Sequence, residues 1–257
     1  MSLSYCGDLV RRHDPDRFLL SLYIPAAVRE SLWALYAYNY EVSRTREVVT
    51  ETQLGLIRLQ WWRDAIAGIY DGLPVKGNPL VDALLQVIHL HDLPRDAFDD
   101  LAYAREFDLE DRQPANMEGL LRYAEYTSAP LMALAQKVTG STDGAKDIAT
   151  AFALVQLLRA VPLHLQQRRC FLPADMTPHL EELYEGRELE RLKPAVRRIV
   201  TAAEDHLAPG RGRLARLHAK FARMYLKKIK KADYNLFAPS MAVPPFMREI
   251  RLAAGFL

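Results

Sequence analysis

The stretch Ala34–Glu47, ALYAYNYEVSRTRE, decides how this chain is read. With Leu32 just ahead of it, Leu35, Tyr36 and Asn39 recur at i, i+3, i+4, i+7, the spacing that lays one face of a helix on a core. Gln156–Pro173, QLLRAVPLHLQQRRCFLP, continues the pattern: with Leu154 just ahead of it, Leu157, Leu158 and Val161 form an apolar stripe, either core or pocket wall. Between them, Thr50 and Gln53 stand at capping-box spacing and predict the start of a helix through Trp61, Trp62 and Ile66. That helix should stop at Asp71-Gly72, ahead of Pro74, and Pro79 suits the first turn of the next, through Leu84, Leu85 and Ile88. Further helices are expected over 95–107, 117–138, 143–167, 189–206 and 211–231, with Pro130 kinking or splitting the second of these. No alternating run is flanked by a hairpin turn. The polar segment Asp108–Asn116 is too short to read as a linker, so the expectation is one all-α domain over residues 1–257.

Composition narrows the class. The chain has 257 residues, 50% hydrophobic and 26% charged, enough for a substantial core. No apolar run approaches the ~18 residues that span a bilayer. The first residues, MSLSYCGDLVRRHDPDRF, mix acids with bases and read as neither a secretory signal nor a transit peptide. Two cysteines, Cys6 and Cys170, make no disulfide framework and fit a reducing compartment.

Both opening stretches resemble the metal-binding helices of the squalene/phytoene synthase family, whose motifs read roughly ALYAFCRxADDIVD and NILRDVGEDxxxGRxYLP. A closer resemblance, to the assembly factor 6 branch of that superfamily, rests on three ordered blocks, Tyr38–Tyr70, Leu157–Met176 and Tyr225–Met241. Its most specific pieces are GLIRLQWW, the LRAVPLH core with its downstream FLP, and YLKKI followed by Asp233, Tyr234, Phe237 and Pro239. The resemblance implies an isoprenoid-synthase-type bundle with a central cavity, its two motif helices facing each other, used in the biogenesis of respiratory complex I. It implies action on the cytoplasmic side of the inner membrane in a bacterium, or at the matrix face in a mitochondrion.

The departures from the family pattern matter most. Laid on the motifs without gaps, the first pair of aspartates falls on Ser43 and Glu47, with an optional one on Arg44; the second pair falls on Ala160 and His164. Magnesium takes hard oxygen ligands and would neutralise a departing diphosphate. One carboxylate among four positions is a poor set for it, so the expectation is no metal, no cofactor and no catalytic residue. Arg44, Arg46, Arg159, Arg168 and Arg169 offer an alternative: guanidiniums can hold a phosphate or diphosphate through bidentate contacts. Equally, Arg44 and Arg46 can be plain solvated residues, and His164 structural. His89 and His91 fall on different helix faces and make a weak metal pair. For Trp61-Trp62-Arg63-Asp64 the simpler reading puts one Trp in the core and turns Arg63 and Asp64 to water.

Arg213, Arg216, Lys220, Arg223, Lys227 and Lys230 recur every three or four residues, beside an apolar stripe of Leu214, Leu217, Phe221 and Met224. Such a face fits an anionic membrane surface, aided by Val243–Met247, or it is a solvated face of a packed helix. No nucleic-acid motif accompanies it. Three functions remain open: an assembly factor with a vestigial pocket able to hold a lipid; a prenyl transferase or isoprenoid-diphosphate-binding protein of squalene, phytoene or hopanoid metabolism; and a basic adaptor at a membrane.

Overall fold

The computed structural model describes residues 3–141, 145–207 and 212–254. Among these residues there is no strand. The helices in chain order are α1 (Tyr5–His13), α2 (Pro15–Ser21), α3 (Arg29–Ser43), α4 (Thr45–Val48), α5 (Thr52–Tyr70), α6 (Pro79–His91) and α7 (Arg95–Ala104). Then come α8 (Met117–Tyr126), α9 (Ala129–Val138), α10 (Lys146–Gln166), α11 (Leu180–Tyr184), α12 (Lys193–Asp205), α13 (Arg213–Lys231) and α14 (Arg248–Ala253). The predicted starts at residues 143 and 211 lie outside the described residues.

Two compact units divide the chain. The first comprises Met1–Glu110, Tyr126–Gly144 and Arg211–Leu214; the second comprises Asp111–Glu125, Ala145–Gly210 and Ala215–Leu257. The crossing at Asp111 falls inside the polar Asp108–Asn116 segment.

In the first unit α3 is the centre, packed on α1, α6, α7 and α9. Its residues Ser31 to Asn39 are buried without interruption, so the helix is a core helix on all sides rather than on the one face its spacing suggested. Tyr38 meets the rings of Trp62 and Phe98 edge-on, and its hydroxyl donates to the Phe98 carbonyl at 2.9 Å. Burying a side chain of this size contributes ~1.5–3 kcal/mol.

The helix ends test the local signals. Gly72 takes the left-handed conformation (φ +74) just past the Asp71 C-cap, and Pro79 opens α6 behind an Asn78 cap, as expected. The capping box does not form. Glu51, not Thr50, is the N-cap of α5 and makes no side-chain cap bond, while Thr52 Oγ1 donates to the Leu109 carbonyl at 3.1 Å. That end is held by a tertiary contact with the 107–110 turn, and Gly55 allows it: a Cβ there would meet the Leu109 side chain at 2.5 Å. Pro130 splits the predicted 117–138 helix into α8 and α9 and sits in the first turn of α9, where its missing N–H costs nothing.

In the second unit α10 packs on α11 and α12, and Phe152 carries it onto His218 and Phe221 of α13. Leu154, Leu158 and Val161 are buried and Leu157 half-buried; Leu217, Phe221 and Met224 are buried too. By length and mean hydropathy α10 is long and apolar enough to cross a membrane, although it holds no uninterrupted apolar run of that length. Most of that window is buried in the protein, as in a core helix.

Candidate functional site

The first metal-motif region is built at the end of α3. Ser43 Oγ donates to the Tyr40 carbonyl at 3.0 Å, the local i−3 bond that serines make inside helices. The α-helix breaks for one residue at Arg44, and Glu47 follows in the short α4, exposed to solvent. Arg44 is half-buried rather than solvated: it lies 3.4 Å from Glu41 and over the Tyr40 ring at 5.2 Å. Arg46 donates to the Val49 carbonyl at 3.1 Å. Behind them the Tyr36 hydroxyl, Asn39 Oδ1 and Thr45 Oγ1 are buried without a hydrogen-bond partner.

The second region lies on α10, in the second unit. Ala160 supplies no donor. The His164 ring tilts against Phe171 at 4.9 Å, and its buried Nδ1 has no partner. Burial, then the nearby Arg169 charge, pushes the His164 pKa down to about 4, so the imidazole is neutral at pH 7. Pro162 sits inside the helix between the two positions.

This donor set does not fit magnesium. A serine hydroxyl engaged with its own helix, an exposed glutamate, a methyl group and a neutral imidazole are not the hard oxygen cage that Mg²⁺ requires. Among the described residues no three His, Cys, Asp or Glu side chains group closely enough to hold a metal ion. His91 Nε2 lies 3.0 Å from Ser31 Oγ, while His89 is exposed.

The arginines of the second region are spent on three different neighbourhoods. Arg168, in a left-handed conformation (φ 54), pairs with Glu181 at 2.5 Å and lies over Tyr184. Arg169 lies over Phe171 at 5.1 Å and 4.0 Å from Asp111. Arg159 stacks on Tyr225 at 3.9 Å, near the Phe221 ring as well. Around Tyr225 the fold adds two cations the sequence reading did not single out. Arg248 Nη1 donates to the Tyr225 hydroxyl at 3.4 Å, and the Lys228 pKa is lowered by burial and then by the Arg159 charge. Arg159, Lys228 and Arg248 thus gather around Tyr225 from α10, α13 and α14, with Arg248 paired with Glu249 at 2.9 Å and Lys228 donating to the Val243 carbonyl. Nothing in the spacing links these positions; only packing does.

In the first unit a pocket of about 260 Å³ is lined by Tyr5, Glu41, Arg58, Trp61, Trp62, Asn78 and Leu80. Its carboxylate, Glu41, is already paired with Arg58 at 2.5 Å and with Arg44. Trp62 is the core tryptophan (3% exposed) and Trp61 the outer one (40%), while Arg63 is half-buried against Glu106 at 2.6 Å rather than turned to water. Asp64 is exposed, as expected.

On α13, Arg213, Arg216, Arg223, Lys227 and Lys230 are exposed and Lys220 is half-buried. Several are tied down: Arg223 donates to the Leu207 carbonyl at 2.9 Å, Lys230 pairs with Glu204 at 2.6 Å, and Lys220 donates to the Ala254 carbonyl.

The profile of the squalene/phytoene synthase family matches residues 10–248. The chain is 31% identical over 255 residues to the NADH dehydrogenase (ubiquinone) complex I assembly factor 6 of Bos taurus, covering 92% of this chain and 76% of that protein. It is 26% identical over 273 residues to the phytoene synthase of Thermus thermophilus, covering 97% and 90%. Its fold matches the crystal structure of squalene synthase HpnC from Alicyclobacillus acidocaldarius with a TM-score of 0.76 at 20% identity, over 90% of this chain and 93% of that one. The fold is therefore the all-α isoprenoid-synthase type, and the chain belongs to the squalene/phytoene synthase family.

Proposed function

We propose that this chain is a non-catalytic member of the family that assists the assembly of respiratory complex I. One observation carries the reading: of the four positions where the family keeps its metal aspartates, only Glu47 is acidic, and it faces solvent. A leaving diphosphate would find no metal cage, and each tenfold loss of rate corresponds to ~1.4 kcal/mol of lost transition-state stabilisation. The 31% identity to an assembly factor supports the assignment. The partners are subunits or intermediates of complex I, met at the cytoplasmic side of a bacterial inner membrane or the matrix face of a mitochondrial one. The exposed basic residues of α13 suit the anionic lipid surface found there. No metal or cofactor is required.

A second reading rests on Arg159, Lys228 and Arg248 around Tyr225: the protein holds an anionic ligand, such as an isoprenoid diphosphate, without turning it over. Deleting the gene while measuring complex I on native gels and isoprenoids by mass spectrometry tests the assembly reading against an enzymatic one. Loss of assembled complex I with unchanged isoprenoids is the expected result. Loss of squalene, phytoene or hopanoids with intact complex I overturns it in favour of an enzyme.

A further inference from the structure

The C-terminal segment turns large apolar side chains outward. Val243 is 60% exposed, Phe246 84%, Met247 45% and Ile250 60%, all within eight residues. Exposed apolar residues scattered singly are ordinary on a protein surface, and four within eight residues are a local excess that asks for a partner surface.

These side chains are held outward. Pro245 and Leu252 are buried, anchoring the segment on either side of the exposed group. Lys228 of α13 donates to the Val243 carbonyl, Lys220 to the Ala254 carbonyl, and Arg248 to the Tyr225 hydroxyl. Met247, between the two anchors, adopts a left-handed backbone (φ 51) that a methionine rarely takes. Two of the α13 lysines therefore fasten the apolar segment to the helix.

Charge identifies the occupant. Residues 212–254 contain ten Lys and Arg against two Asp and Glu, whereas the whole chain has 34 against 32. The basic surplus is concentrated in the part of the molecule that carries the exposed apolar group. Lys227, Lys231 and Arg251 are exposed in this same part of the chain. A ring as exposed as Phe246 projects from the surface, and a bilayer receives a projection without a complementary pocket, which a protein partner would need. Apolar side chains flanked by cations match the acyl boundary and headgroups of an anionic leaflet.

We propose that Val243, Phe246, Met247 and Ile250 form a wedge that inserts into an anionic lipid surface, with the neighbouring cations of α13 and α14 settling on the headgroups. The inference deepens the reading that the protein works at a membrane and rests on it. It differs in assigning the contact to the wedge, with the α13 charge stripe in a supporting role.

Cosedimentation of the full chain with vesicles of phosphatidylcholine, alone or mixed with phosphatidylglycerol, tests it. Wild type binds the mixed vesicles, and F246D/I250D binds them about tenfold more weakly or worse. The stripe variant R216E/R223E/K227E loses less than the wedge variant. Circular dichroism checks that each variant is folded. F246W gives a second readout: on mixed vesicles its emission shifts to the blue and is quenched by lipids brominated on their acyl chains, above the background of the wild-type tryptophans. Equal binding by wild type and F246D/I250D, or F246W emission unchanged by vesicles that the protein binds, overturns the wedge and leaves a purely electrostatic contact. Absence of wild-type binding to either vesicle overturns the membrane reading itself. Concentration-dependent dimerisation that F246D/I250D abolishes, without vesicle binding, reassigns the surface to a second copy of this chain.

Discussion

The two metal-motif regions have lost their carboxylates in different ways. At the end of α3 the replacements stay polar and near solvent: Ser43 bonds to its own helix and Glu47 is exposed. Behind them, however, the Tyr36 hydroxyl and Asn39 Oδ1 are buried with no partner. On α10 the replacements have joined the packing, with His164 neutral against Phe171 and Arg159 stacked on Tyr225. The first region keeps unmet hydrogen-bonding capacity, at a cost in stability. The second has converted its site into ring contacts and desolvated bases. Loss of the motif carboxylates does not dictate one structural outcome; the local dielectric and the neighbouring rings do.

The largest expected effect is a pH dependence in the second region. His164 has a folded pKa of about 4 against a reference of 6.5, so between those values the unfolded chain takes up a proton that the folded chain refuses. Stability therefore rises with pH through that window and is complete above it. Below pH 4 the fold has lost about 3 kcal/mol from this group. Urea denaturation of wild type and H164Q at pH 4.5 and pH 7.5 measures the difference. The variant should lose most of that dependence, and an unchanged slope would mean that His164 titrates normally and that the second region is wetter than its packing implies.

A smaller effect is expected in the first region. Asn39 Oδ1 is a buried acceptor with no donor, and replacing the side chain with an apolar one of similar size removes that desolvation cost. N39L should gain about 1 kcal/mol in chemical denaturation. A loss of that size would show that a water or ligand satisfies the oxygen in solution, making the first region a binding site rather than a residue of one.

The smallest effect belongs to Glu47. E47Q should change stability by less than about 0.5 kcal/mol, as expected for an exposed side chain. Added magnesium should leave the melting temperature of wild type and E47Q alike. A magnesium shift present in wild type and absent in E47Q would restore a metal to the first region and sharpen the contrast with the second.

Much of this was legible from residues near one another in the chain. Helical spacing, the Asp71-Gly72 stop, the Pro79 start and the break at Pro130 all follow from geometry within about one or two turns of helix, whereas the missing carboxylates show only against the family's motifs. The capping box at Thr50 shows the limit of that reading, because Leu109, far along the chain, claims the helix end. Which tryptophan of Trp61-Trp62 goes inside is likewise set by a distant partner, Tyr38, whose ring meets Trp62 edge-on.

The sequence by itself determined the class of backbone through local spacing, and the family and the residues at the motif positions through its resemblance to the squalene/phytoene synthase motifs. Only the tertiary structure decided that His164 is a neutral base, that Arg159 shares Tyr225 with Arg248 and Lys228, and that α13 lysines hold the apolar C-terminal segment outward. Those outcomes depend on solvent exclusion and on partners distant in sequence. Burial and pairing are properties of the packed neighbourhood, which no short window of sequence contains.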